Sequence, residues 1–221
     1  MAVSLEAFTH EYLPAPRGGD ALTFLMLHGT GGDEHALLPL GPALDEGAGM
    51  LAPRGKALTG GESSFLQGVV AGALDLDELH ARAYELADWV RAAAAAYRFD
   101  LHRVVAVGYA GGADMATGLL LLESRLLAGA VLFRPGLPVE PEGRPHLHGV
   151  AAFVAAGRAD AGVPPERVEG LAYQLRRAGA DVTLHWDNAG HELDQREVAA
   201  AREWLRRRRL ARGLKLHDPP L

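Results

Sequence analysis

Val104-Val105-Ala106-Val107-Gly108-Tyr109-Ala110-Gly111-Gly112-Ala113 is the stretch on which the reading of this chain turns. A short, β-branched apolar run has the composition of a buried strand, and it passes without a linker into a helix-forming stretch. A turn that sharp raises its central residue above the sheet edge, and side chains two positions to either side would collide with neighbouring backbone. Gly108 and Gly112 occupy those two positions, and Ala110 is the raised residue. A serine there would be a nucleophile in a Gly-x-Ser-x-Gly turn; this chain has Gly-x-Ala-x-Gly. Paired glycines after a strand suit many tight turns, so the segment needs company before it means chemistry.

Outward from that turn, strand-like and helix-like runs alternate, the pattern of a mostly parallel sheet flanked by helices and hence of an α/β fold. Strands are expected at residues 22–27, 49–52, 103–107, 129–133, 150–156 and 182–186, nearly all ending at glycine or proline. Asp75 with Glu78 makes a capping-box start for a long helix to about Tyr97. Pro164-Pro165-Glu166 opens a second helix, residues 193–210 form the last, and a short one follows Gly111. Residues 5–12 are read as an antiparallel edge strand. Residues 54–74 hold five glycines and no clear period, so they are read as a flap over the site, with Phe65, Leu66, Val69, Val70 and Leu74 as its apolar material.

Three further segments follow in a chemically meaningful order. Leu27-His28-Gly29-Thr30-Gly31-Gly32-Asp33-Glu34 comes after the first strong strand and resembles the oxyanion segment of α/β-hydrolases, in which a backbone N–H points at a substrate oxygen. Thr30 N–H is the expected donor and Gly111 N–H its partner. A phosphate-cradling loop would need a Lys-Ser/Thr that is missing. Asp160, in Gly157-Arg158-Ala159-Asp160, follows a strand beyond the turn, where an acid can orient a histidine. Asp187 is the competing acid, four residues before the histidine itself. That histidine is His191, in Asn188-Ala189-Gly190-His191 after the last strand.

Composition excludes several other functions. At 221 residues the chain fits one α/β domain, taken here as residues 1–221. It has no cysteine, which excludes disulfides, thiolate catalysis and cysteine-ligated zinc. A net charge of −6 argues against nucleic acid as a partner. The arginine run at Arg202 and Arg206 to Arg209 reads instead as cations at a helix C-terminus. No apolar run is long enough to span a membrane, and the first ten residues lack the basic start of a secretory leader, so a cytoplasmic location is expected. His146 and His148 alternate as on a strand, but no third ligand has suitable spacing, so no metal is expected.

Taken with Ala52-Pro53-Arg54-Gly55 and Phe133-Arg134-Pro135-Gly136-Leu137-Pro138, these motifs resemble the bacterial carboxylesterase/phospholipase family related to dienelactone hydrolases, across residues 22–205. The resemblance implies an α/β-hydrolase fold without a large cap and serine ester hydrolysis of small acyl substrates, with no cofactor. It implies the nucleophile position at Ala110, with Asp160 and His191 completing a triad. Thr30 and Gly111 would form the oxyanion hole, and Phe65 and Arg134 would line the substrate pocket. The departure is Ala110 itself, which leaves the fold intact and removes the nucleophile. Either a catalyst has had its nucleophile replaced, or this is a natural non-catalytic member that binds small acyl compounds. Retention of Asp160, His191, both elbow glycines and the oxyanion segment favours the first.

Overall fold

The computed structural model describes residues 3–16, 21–56, 61–67, 69–70, 73–136 and 145–212. Its centre is a seven-stranded sheet in the order β1-β3-β2-β6-β7-β8-β9. The strands are β1 His10–Leu13, β2 Thr23–Leu27, β3 Gly49–Pro53, β6 Val104–Tyr109, β7 Gly129–Phe133, β8 Ala151–Gly157 and β9 Asp181–Asp187. All neighbours run parallel except β1, which is antiparallel to β3 at the edge. The six parallel strands lie within two residues of the bounds anticipated from sequence; β2, β3, β6, β7 and β8 are buried on both faces and read as continuous apolar runs, whereas β9, at the edge, is only partly buried.

Side chains alternate across this sheet into two apolar layers. Leu25, Leu27, Ala106 and Leu132 face a layer shared with α2 Leu76–Tyr97, α3 Gly111–Leu122 and α4 Pro165–Arg177. Phe24, Met26, Val107 and Phe133 face the opposite layer, shared with α1 Leu40–Leu44 and α5 Gln195–Arg212. Helices on both faces of a mostly parallel sheet make the α/β-hydrolase arrangement, and they leave the C-terminal strand ends free to carry loops. No helix among the described residues is long and apolar enough to cross a membrane.

Local chemistry explains the element boundaries. Asp75 caps α2 by accepting from Glu78 N–H at 3.1 Å, but the Glu78 carboxylate accepts from Gln67 N–H instead of turning back on the cap. Half of the expected capping box therefore ties the helix to the preceding segment. The edge strand is shorter than residues 5–12: Leu5–Ala7 is a 3₁₀ turn started by Ser4, whose hydroxyl accepts from Glu6 N–H. Trp89 Nε1–H donates to Leu5 O at 3.0 Å and the ring packs on Phe8, so burial of this segment on α2 outweighs strand pairing.

Residues 54–74 also depart from expectation. Val69–Val70 and Ala73–Leu74 form a short antiparallel pair, β4 and β5. Gly55 lies so close to Ser64 that a Cβ would sit 2.3 Å from the Ser64 carbonyl carbon. Ser64, Phe65 and Leu66 are buried. In its described part the segment is built into the body of the protein rather than standing over it as a structureless flap; residues 57–60, 68 and 71–72 lie outside the described residues.

Four arginines toward the end of α5 are matched by acids: Arg202 with Glu46, Arg206 and Arg207 with Glu203, and Arg208 with Asp181. His146 and His148 lie in a loop and a turn rather than on a strand, with ring centroids 6.4 Å apart.

Candidate active site

The site is assembled from the loops that leave β2, β6, β8 and β9 at one edge of the sheet. At the end of β6 the chain turns through Ala110 at φ 48° and ψ −119°, a left-handed conformation that costs a non-glycine residue of order 1–3 kcal/mol. Ala110 N–H donates to Phe133 O at 2.9 Å, which locks the turn to β7. A Cβ on Gly112 would stand 1.9 Å from Leu27 O, and one on Gly108 would stand 2.6 Å from Ala113 Cα. Backbone, which cannot give way, accounts for both glycines.

The β2 loop runs beside this turn. Thr30 Oγ1 lies 3.4 Å from where a Gly111 Cβ would project, and Thr30 N lies 4.0 Å from the same point. The two N–H groups are therefore neighbours, and neither meets a backbone carbonyl among the described residues. Gly111 N–H opens α3, where the unpaired amides and the helix dipole favour negative charge. The adjacent Gly31 N–H is held by Ser63 O at 2.8 Å. His28 is a structural pin: Nε2 accepts from Gly55 N–H at 2.9 Å, so the proton is on Nδ1, which donates to Gly29 O at 2.7 Å. Burial pushes its pKa down and keeps the ring neutral. Phe65 is buried with its ring on that of His28, centroids 4.8 Å apart, and so backs the loop.

The acid and the histidine meet across β8 and β9. In-register pairing sets Gly157 opposite Asp187, and a Cβ on Gly157 would stand 2.3 Å from Ala189 O, so the two strand-end loops touch. Arg158 N–H donates to Asp187 O and Ala159 N–H to Ala189 O. Across this junction His191 Nδ1 is 2.8 Å from Asp160 Oδ2. The other oxygen, Oδ1, accepts from Gly162 N–H at 2.8 Å and Val163 N–H at 3.2 Å. Burial pushes the Asp160 carboxyl up, but the bonds from His191 and these amides outweigh it and hold the pKa below the usual carboxylate value. An ionised carboxylate can only accept, so His191 Nδ1 donates, and in the neutral ring Nε2 is then the acceptor. Asp187 makes no such contact: its carboxylate accepts from Asn188 N–H at 2.6 Å and lies 3.4 Å from Arg196.

Tyr109, which sequence reasoning passed over, joins the histidine to the elbow. Its hydroxyl donates to His191 O at 3.1 Å, and the rings lie 5.6 Å apart. Nothing in its spacing distinguishes it from any residue in the variable position of the turn. Arg134 is a correction. Its guanidinium does not line a pocket: it is fully buried behind the His191 loop, where it pairs with Glu197 and donates to Gly190 O and Glu192 O. An extended arginine reaches about as far as it is long, and its destination could not be read from the Phe-Arg-Pro-Gly context.

The acidic group Asp33, Glu34 and His35 brings ligand-type atoms within 4.8 Å of one another, but Glu34 is already engaged by both nitrogens of the Arg54 fork, one at 2.7 Å.

A mostly parallel sheet, a left-handed strand-to-helix elbow and an Asp–His pair on the following loops define an α/β-hydrolase. The chain belongs to the dienelactone hydrolase family, whose model matches residues 74–210. It is 38% identical over 190 residues to the putative hydrolase MhqD of Bacillus subtilis, covering 86% of this chain and 95% of that protein. The crystal structure of the Bacillus cereus carboxylesterase superposes with a TM-score of 0.85 at 36% identity, covering 89% of this chain and 92% of that one. A carboxylesterase from Mesorhizobium loti gives 0.79 at 26% identity, covering 86% and 90%.

Proposed function

We propose that this chain is a carboxylesterase-type scaffold for small acyl esters in which Ala110 occupies the nucleophile's place, so that it binds an ester without turning it over. One observation carries the reading: a half-exposed imidazole held by a buried carboxylate, 2.8 Å away, on a loop anchored to the elbow by Tyr109. The family and the carboxylesterase likenesses support it. With serine at 110, His191 Nε2 takes the hydroxyl proton as the oxygen attacks the ester carbonyl. Asp160 holds the ring through Nδ1 and stabilises the imidazolium, while Thr30 and Gly111 N–H bind the oxyanion. His191 then protonates the departing alkoxide, and water, activated by the same ring, releases the acid. Each role falls to a protein group, so the reading includes neither cofactor nor metal. Phe65 backs the acyl side of the site. A cytoplasmic location belongs to the same reading.

Alanine offers no oxygen to attack with. Loss of the serine in a Ser-His-Asp protease costs about 10⁶ in kcat, leaving what binding and the oxyanion donors supply. A natural, non-catalytic acyl-binding protein is the second reading; against it stands the buried Asp160, since a binding site gains nothing from orienting a base. The test is hydrolysis of p-nitrophenyl acetate by the chain and by its Ala110→Ser form. The serine form should show a burst of p-nitrophenol followed by turnover. A normally folded serine form no faster than the alanine form defeats the esterase reading.

A further inference from the structure

We propose that Arg134, paired with Glu197, is the positioning residue that sets the height and direction of His191 over the elbow; this rests on the esterase reading above. The His191 side chain is 47% exposed, so packing alone cannot aim it, and its hydrogen bond to Asp160 with the Tyr109 ring 5.6 Å away fixes the ring's rotation but not the height of its backbone. The backbone is fixed from beneath. Arg134 Nε–H donates to Gly190 O at 2.8 Å and Nη2–H to Glu192 O at 3.0 Å, one carbonyl on each side of the histidine. Nη2 also meets Glu197 Oε2 at 2.8 Å, and that same oxygen accepts from Asp194 N–H at 3.1 Å. Tyr109 holds the carbonyl of His191 itself. One guanidinium and one carboxylate thus grip the loop at 190, 192 and 194.

Both members of the pair have no exposed side-chain surface. Removing two charges from water costs enough that a buried pair of this kind is often no more stabilising than apolar residues of the same volume. Stability is therefore a poor account of it, whereas the planar five-donor fork of arginine suits a task in which several acceptors must be held at fixed angles at once. The backbone agrees. Arg134 sits at φ 56°, a left-handed conformation unfavourable for a side-chain-bearing residue, and its N–H is tied to Ala155 O at 2.9 Å. That strain turns the chain out of β7 and sends the side chain under the β9 loop. Glu197 receives it from the first turn of α5, where a carboxylate is favoured by the helix dipole.

Two variants separate positioning from mere support. Arg134→Lys keeps the charge pair but cannot reach both carbonyls, and Arg134→Met with Glu197→Met removes both charges at similar volume. In the Ala110→Ser background each should fold with a melting temperature near the parent's and lose about 10²-fold in kcat, the cost of a displacement of about 1 Å, with KM little changed. In the alanine chain itself, the His191 Nδ1 proton resonance, shifted downfield by its bond to Asp160, should broaden or move in both variants. If kcat and the resonance are unchanged, or if melting temperature falls while kcat holds, Arg134 is a structural residue and the proposal is overturned. Should the serine parent be inactive, the esterase reading fails by itself, and the imidazole resonance in the alanine chain still decides whether Arg134 positions the ring.

Discussion

Replacing Asp160 by asparagine in the Ala110→Ser form tests the catalytic pairing at a single atom. The two oxygens of Asp160 are not equivalent. Oδ1 accepts two backbone N–H groups, from Gly162 and Val163, while Oδ2 faces His191 Nδ1. In Asp160→Asn the carbonyl oxygen must stay with the two amides, because the alternative flip would set an NH₂ against two N–H donors. The NH₂ then faces His191 and obliges Nδ1 to accept, which moves the ring proton to Nε2. An imidazole with hydrogen on Nε2 cannot take the serine proton. Loss of the correct tautomer in a triad costs about 10⁴ in kcat, or about 5 kcal/mol of transition-state stabilisation. Initial rates with p-nitrophenyl acetate measure it, with Asp187→Asn as the control, since that carboxylate serves Asn188 and Arg196 and should cost less than about tenfold. A folded Asp160→Asn enzyme within tenfold of its parent, or a larger loss at Asp187, would refute the argument.

Phe65, whose ring packs on His28, and Leu66 are buried, so neither of them offers apolar surface to a long acyl chain. In a p-nitrophenyl ester series, kcat/KM of the serine form should peak at about two to six acyl carbons, each buried methylene being worth roughly 0.8 kcal/mol; a maximum at twelve or more would reveal a long acyl site. Gly112→Ala places a Cβ 1.9 Å from Leu27 O and should destabilise by about 3 kcal/mol or more, whereas Gly111→Ala meets nothing nearer than Thr30 Oγ1 at 3.4 Å and should stay within about 0.5 kcal/mol in urea unfolding. For His28 the folded pKa lies below the unfolded value of 6.5, so the unfolded chain binds the proton first and stability falls as pH drops below that value. Urea midpoints at neutral and mildly acidic pH should differ less in His28→Gln than in the parent; an equal slope would assign the loss to other groups.

Where a residue's meaning depends on its near neighbours, the amino-acid order alone was enough. Val104 to Val107 had the composition of a buried strand, and the clash avoided at Gly108 involves backbone only a few positions away, although the one avoided at Gly112 is with Leu27 O on the neighbouring strand. The strands near 129–133, 150–156 and 182–186 were legible for the same reason, as was the helix capped by Asp75. Local signals also misled. Helix α1 contains Gly41 and Pro42, poor helix formers, and went unanticipated; a Cβ at Gly41 would stand 2.0 Å from Met50 Sδ on β3, so the methionine would have to move. The preference for Asp160 over Asp187 came from sequence, but the contact itself is tertiary: pairing of β8 with β9 sets Asp187, the last residue of its strand, opposite Gly157 and leaves Asp160 beside the histidine loop. Tertiary structure alone sends Arg134 under that loop to Glu197, 63 residues away, and brings Tyr109 to a carbonyl 82 residues away. Such partners are chosen by the packing of the whole sheet, and no periodicity within either segment encodes where the other will be.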